Sequence, residues 1–513
     1  MHFKPHFKAP SLLAAAALAA LAGCGGGADA PQDPAPAPVT LHARSGDANP
    51  AAATLPDSIT LMGLCEHPRS GTRPDGSPLI DRQGTRDDER KWVHAFIDES
   101  YLWYQEVPAG LSPASFNTPI DYFNALKTPA ITASGRPKDR FHFTYPSAVW
   151  DALSSSGTST GYGVTLVRYT DPSRPRLWKL TMVEPDSPAA LAGLQRGDQL
   201  LSVDGVPVAF YANSARAAAL INAGLFPATA GEKHQLMLSS GGQFKVITLT
   251  SQTVGGQSVQ NAKVLDTPTG KVGYLQFNEH NGVAESQLAK AFSDFQTAGV
   301  ADLVLDMRYN GGGLLTIASE LAYMVAGPQT TKGKVFERVV NNGKTAAPAP
   351  MGFRDTAIGF PATAPLKAGA ALPYLGLKRV TVLTTAGTCS ASESVINSLR
   401  GVGVEVNLIG GDTCGKPYAF VPAPNCGTTY FAIETQGVND KGEGDYADGF
   451  QPTCRVDDDL THALGDPQEG LLAAALNYRD QGSCAVSNAS RQISGAAMQM
   501  VRPPIHEISV REL

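Results

Sequence analysis

Thr388-Cys389-Ser390-Ala391-Ser392-Glu393-Ser394-Val395-Ile396 is the stretch on which the reading of this chain turns. It follows a short apolar strand, Val380 to Leu383, and a turn at Ala386-Gly387. It opens a helix whose apolar positions Val395, Ile396 and Leu399 recur at helical spacing. Ser390 therefore stands at a strand-to-helix corner, near the positive end of the helix dipole. Such a corner suits a nucleophile, because backbone N–H groups there can hold a developing oxyanion. It also suits a cap: Ser390-x-x-Glu393 is a capping box, with Glu393 reaching back to the serine.

Two further stretches favour chemistry over capping. Gly410-Gly411-Asp412-Thr413-Cys414-Gly415-Lys416 places a glycine-flanked lysine after another apolar strand, Val404 to Ile409. A lysine acts as general base only when neutral, which requires desolvation or neighbouring positive potential. The following Pro417-Tyr418-Ala419-Phe420-Val421 offers a dry setting. Upstream, Leu303-Val304-Leu305 reads as a buried strand ending in Asp306-Met307-Arg308-Tyr309-Asn310-Gly311-Gly312-Gly313, whose bare backbone permits close approach to a substrate. From Gly273 to Ala475 strands alternate with helices, including a helix near Ala284 to Ala298 and one from Leu314 to Val325. An extended, proline-rich connection follows at 327–378. This is an α/β body.

Before this body lie two different textures. Residues 57–150 carry aromatic helical stripes, Trp92, Phe96, Ile97, Tyr101 and Leu102, then Ile120, Phe123 and Leu126, and read as a small helical domain. Residues 157–253 hold short strands and turns. Gly161-Tyr162-Gly163-Val164 is a glycine loop running into a strand, and SPAALAGLQRGDQLLSVDGVPV (187–208) alternates a short helix with tight turns. This order resembles a PDZ domain of the bacterial protease type. The resemblance implies capture of a peptide end as an added strand beside Gly161, Tyr162, Gly163 and Val164.

Taken together, these pieces resemble the S41 family of C-terminal (tail-specific) processing proteases, over roughly residues 87–484. The resemblance implies an α/β protease core (ClpP/crotonase-like) at 260–484, with a small helical N-terminal domain and an inserted mostly-β PDZ domain. It implies Ser390 as nucleophile and Lys416 as general base of a serine endopeptidase. Oxyanion donors would be Gly311 or Gly312, with Ala391; Glu393 and Thr413 match supporting positions. Two family positions for a third catalytic member fall on Gly401 and Phe420, neither of which can serve, so a Ser–Lys dyad is the simplest arrangement. Substrates would be protein or peptide chains, taken through their C-terminal tails. The alternatives are a catalytically inactive peptide- or lipid-binding scaffold of the same fold, and a histidine base at His280.

At 513 residues, the chain exceeds one ordinary core. Its net charge of −6 argues against nucleic acid as partner. Lys4 and Lys8 precede an apolar run, Ser11 to Ala20, which is a signal segment and too short to span a membrane comfortably. Leu21-Ala22-Gly23-Cys24 resembles a bacterial lipoprotein box, which implies a signal peptide at 1–24, lipidation of Cys24 and a membrane anchor facing the periplasm. Gly25, where an aspartate would retain the protein, points to the outer membrane rather than the inner. Residues 25–56 are a disordered tether with a reach of roughly 30 Å.

Six cysteines remain, and an even number in an exported chain reads as disulfides. Six cysteines allow 15 connectivities; Cys414 with Cys426, across one hairpin, and Cys65 with Cys484, tying the ends of the body together, are two candidate pairs. No metal-binding spacing is present, and no cofactor is expected. The polar tail 485–513 reads as solvated, although its terminal Leu513 is the kind of residue a PDZ groove takes.

Overall fold

The computed structural model describes residues 56–73, 76–156, 158–169, 177–255, 257–360, 364–484, 498–501 and 509–510. The signal segment, Cys24, nearly all of the tether and Leu513 lie outside the described residues.

The α/β body is a six-stranded sheet in the order Val259–Thr267, Gly270–Phe277, Asp302–Asp306, Arg379–Thr384, Glu405–Gly410 and Cys454–Arg455. The first pair is antiparallel and the rest are parallel. Its central strands are apolar on both faces, which is why they read as continuous apolar runs. Leu303, Leu305, Val380, Val382, Val406 and Leu408 bury one face against the helices Ala284–Ala298, Leu315–Ala326 and Ala391–Gly401. Val304, Leu383 and Ile409 point the other way, onto Leu471, Leu472 and Ala475 of the helix Gly470–Gln481. Successive residues alternate between the two cores, as a period of two requires.

Three neighbouring parallel strands end on one edge of this sheet. Asp302–Asp306 runs into the glycine loop, Arg379–Thr384 into the Ser390 corner, and Glu405–Gly410 into the Lys416 loop. In parallel sheets, that carboxyl edge is where ligands bind. The 327–378 connection is less irregular than its prolines suggest. Val335–Val340 is a strand, paired with Thr435–Val438.

The second sheet has the order Gln243–Thr250, Lys233–Ser240, Gln199–Val203, Trp178–Val183, Val164–Tyr169, Met498–Val501. With the helices Pro188–Leu191 and Ala215–Leu225 it reproduces the element order expected for 157–253. A ribbon of Thr158–Gly161 against Gln252–Gly255 closes its base. The last strand was not expected: the tail is not wholly solvated, because Met498–Val501 joins this sheet.

The N-terminal helices Arg86–Ser100 and Pro119–Ala125 form as expected, the first capped by Thr85 and Asp88. They are not an independent helical core. Trp92, Phe96, Tyr122 and Phe123 share one cluster with Tyr418, Phe420, Tyr430, Phe431 and Ile433. The strand Phe143–Pro146 pairs with Thr428–Phe431 of the hairpin beyond the lysine.

The disulfides differ from both candidate pairs. They are Cys65–Cys426, Cys389–Cys414 and Cys454–Cys484. Cys426 sits at the turn of a hairpin that docks on the N-terminal segment, where Asn425 Oδ1 accepts from Gly63 N–H at 2.8 Å. It therefore faces Cys65. Cys414 is drawn instead to the residue before Ser390.

Candidate active site

Ser390 has φ 63° and ψ −117°, a left-handed conformation that a non-glycine residue adopts only under constraint. The constraint is visible. Cys389 N–H donates to Asn310 O at 3.0 Å, Ser392 Oγ donates to the same carbonyl at 3.1 Å, and Ser394 N–H donates to Ser390 O at 2.9 Å. Gly312 packs directly on the corner; a Cβ there would stand 2.8 Å from Ser390 Cβ and 3.0 Å from Ala391 N, at a φ of 106°. Glycine is required at that position.

Glu393 is more than a helix cap. Its fully buried carboxylate accepts from Ser390 N–H at 2.9 Å, Lys416 N–H at 2.8 Å, Gly415 N–H at 2.8 Å and Thr413 Oγ1 at 2.5 Å. One side chain thus fixes the serine corner to the lysine loop. Burial raises its pKa, opposed by these hydrogen bonds. The Cys389–Cys414 disulfide joins the same two segments covalently. Thr413 has a second duty, accepting from Phe450 N–H at 2.7 Å.

Lys416 is 1% exposed, with Nζ 4.0 Å from the Phe420 ring centroid and 4.9 Å from that of Phe141. Phe420 supplies no hydrogen-bonding group; it walls the amine. Gly401 supplies none either, since a Cβ there would already collide with Asn439 at 2.8 Å. Ser390 and Lys416 are both closed from solvent, at 0% and 1% exposure.

Asn310 organises the glycine loop. Its Oδ1 accepts from Gly312 N–H at 2.9 Å and from His280 Nδ1 at 3.1 Å, while its Nδ2 donates to Phe277 O at 3.0 Å. Gly312 N–H is therefore spent on Asn310, which counts against it as one of the oxyanion donors expected at Gly311 or Gly312. His280 is a prop for this loop: its N–H donates to Gly312 O, and burial pushes its pKa down to about 3. Neither feature suits a general base at neutral pH.

Three arginines to which the sequence analysis gives no role, Arg140, Arg308 and Arg196, stand around the site. Arg140, from the N-terminal part, donates to Cys414 O at 2.7 Å and Gly415 O at 3.2 Å. Arg308 is buried among Asp306, Asp458 and Glu469. Arg196, from the second sheet's domain, reaches Tyr309 Oη at 2.5 Å and Asp458 at 2.7 Å. That places it one residue from Asn310.

Of the expected peptide-binding residues, Gly161 lies in the closing ribbon and Val164 begins the strand that receives Met498–Val501. Tyr162 is 2% exposed and belongs to the domain's core, in one cluster with Val501. Gly163 packs its bare Cα against Ser187. The Cys389, Glu393 and Cys414 side chains converge closely enough to suggest a metal. The two sulfurs are bonded to each other and the carboxylate already has four donors, so these residues do not fit one.

Comparison with known proteins agrees with this architecture. Residues 271–456 match peptidase family S41, 88–145 the peptidase S41 N-terminal domain, and 180–223 a PDZ domain. A carboxyl-terminal-processing protease of Picosynechococcus is 26% identical over 278 residues, 52% of this chain and 56% of that protein. A chloroplastic C-terminal processing peptidase of Tetradesmus obliquus is 28% identical over 184 residues, 33% of this chain and 38% of that protein. The chain spans about half the length of the first curated relatives it matches. A solved structure assigned to the S41 proteases, from Bacteroides fragilis, superposes with a TM-score of 0.58 at 26% identity, covering 76% of this chain and 97% of that one. The chain thus carries an S41-family peptidase domain, joined to an S41 N-terminal domain and a PDZ domain.

Proposed function

We propose that this protein is an exported serine endopeptidase that hydrolyses peptide bonds in protein tails or unfolded proteins by a Ser–Lys mechanism. Ser390 Oγ attacks the scissile carbonyl carbon while the Lys416 amine takes the hydroxyl proton. The tetrahedral oxyanion faces the N–H groups of Gly311 and Ala391. The lysine returns its proton to the leaving nitrogen as the C–N bond breaks, leaving an ester on Ser390. Water, deprotonated by the same amine, attacks the ester, and Ser390 recovers its proton. The observation that carries this reading is the Glu393 carboxylate, which binds the backbone of nucleophile and base together. The enclosure of Lys416 by Phe141 and Phe420 supports it, because it keeps bulk water from the amine.

The PDZ domain captures the substrate by strand addition, and the core is of the ClpP/crotonase type. Export follows from the signal segment, and lipidation of Cys24 anchors the protein in the cell envelope, facing the periplasm, in the outer membrane rather than the inner. No helix among the described residues is long and apolar enough to cross a membrane.

The test is cleavage of an unfolded protein with an apolar C-terminus by residues 25–513, beside Ser390→Ala and Lys416→Ala. Loss of cleavage in both variants, with folding intact, is expected. Fluorophosphonate labels Ser390 in this reading; absence of both labelling and cleavage in the wild type would identify an inactive scaffold.

A further inference from the structure

The C-terminal tail meets the folded body at two described places. Met498–Val501 pairs antiparallel with Val164–Tyr169, in the register Met498↔Tyr169 to Val501↔Leu166. This is the sheet edge beside the glycine turn, where a PDZ domain accepts an added strand. Val501 and Gln499 share one face of this strand and Met500 points to the other. Val501 is 8% exposed and lies in one cluster with Tyr162, Leu166 and Leu180. Gln499 is exposed and accepts a hydrogen bond from Arg168, its partner in register. Met500 faces the protease core; its Cγ lies 3.2 Å from where a Cβ on Gly387 would stand, three residues before Ser390.

The second place is the catalytic edge. Ser509–Val510 pairs in parallel with Gly313–Leu314, immediately after the glycine that packs on Ser390. Tyr418–Ala419, just beyond Lys416, lies alongside that strand. The tail strand therefore runs between the glycine loop and the base's strand, in a site whose nucleophile and base are closed from solvent.

We propose that the tail, through Met498–Val501 and Ser509–Val510, is an intramolecular peptide ligand of both the PDZ groove and the catalytic cleft. A foreign chain must displace it from both. The groove holds it as an internal strand, not as a chain end, because the sequence continues past Val501. The tether is short: Cys484 is pinned to the body through Cys454. Linkage through the few residues between Cys484 and Met498 gives a local concentration on the order of mM. Against a peptide binding the open groove at ~10 µM, that occupancy weakens binding in trans by on the order of 100-fold. The second contact borrows its meaning from the proteolytic reading, but the test reads binding and needs no turnover.

A fluorescent peptide of residues 498–513 is titrated by anisotropy into the full chain carrying Ser390→Ala. The same chain with Val501→Asp and the same chain ended at residue 497 run beside it, with circular dichroism to check folding. Binding about 10- to 100-fold tighter in both altered chains is the expected result. Equal affinity in all three, or no binding to any, would overturn the proposal. A dimer by light scattering that disappears on truncation would also overturn it, assigning the strand to a second copy. Tighter binding without cleavage by either Ser390 form of the chain would keep the tail assignment and sink the protease reading.

Discussion

The Glu393 carboxylate holds Lys416 by its backbone N–H, at 2.8 Å, and the same oxygen accepts Ser390 N–H at 2.9 Å. The carboxylate is a positioning group, spending its lone pairs on peptide amides. Glu393→Ala leaves several buried N–H donors unpaired, which costs at least about 3 kcal/mol. Misplacement of the two reacting groups lowers kcat on the order of 100-fold. Denaturant unfolding and kcat on an unfolded substrate check both, and unchanged kcat with lowered stability would confine Glu393 to a cap.

The Cys389–Cys414 disulfide spans the same two segments with a sequence separation of 25. Cys389→Ala with Cys414→Ala removes about 3 kcal/mol of stability by relaxing the unfolded chain. It also lowers kcat, because the covalent link between the serine corner and the lysine loop is lost. Turnover measured well below the melting range separates the two effects.

Arg196 joins the PDZ domain to Tyr309 and Asp458, next to the glycine loop. In Arg196→Ala, Asp458 keeps its pair with Arg308 at 2.8 Å, so the loss stays near 2 kcal/mol rather than that of an orphaned charge. The expected signature is a fall in kcat of about 10-fold with unchanged affinity of the isolated groove for peptide. A changed affinity with normal kcat would contradict the coupling.

Two buried groups set opposite pH slopes. His280 is held neutral, its pKa lowered from 6.5 to about 3 by burial, so its contribution is lost as pH falls below about 6.5. Glu320 is raised from 4.5 to about 9, by burial first and by neighbouring Glu285 next, so it keeps its proton in the folded state. Its contribution is lost as pH rises from about 4.5 towards 9. Glu320→Gln should flatten the alkaline side of the melting profile and leave the acid side. A pH–rate profile should show no ionisation of His280 near 6.5.

The alternation of strands and helices, the PDZ-like turn order and the strand-to-helix corner at Ser390 were legible because each is local. Periods of two and 3.6, glycine turns and a Ser-x-x-Glu box are written within a few residues of one another. The lysine was legible for the same reason, as one residue in a glycine-flanked turn after a strand. Resemblance then joined the local pieces into one site.

What only the tertiary structure decided are the pairings between residues far apart in sequence. Cys65 meets Cys426 across 361 positions because a hairpin after the lysine pairs with the strand Phe143–Pro146 and reaches Gly63 through Asn425. Gly312 N–H turns to Asn310, His280 becomes a loop prop, and Arg140 and Arg196 arrive from other domains. The tail, polar enough to read as solvated, finds a sheet edge whose unpaired backbone groups accept any chain of suitable shape. Backbone pairing of that kind leaves almost no trace in side-chain pattern, so composition could not reveal it.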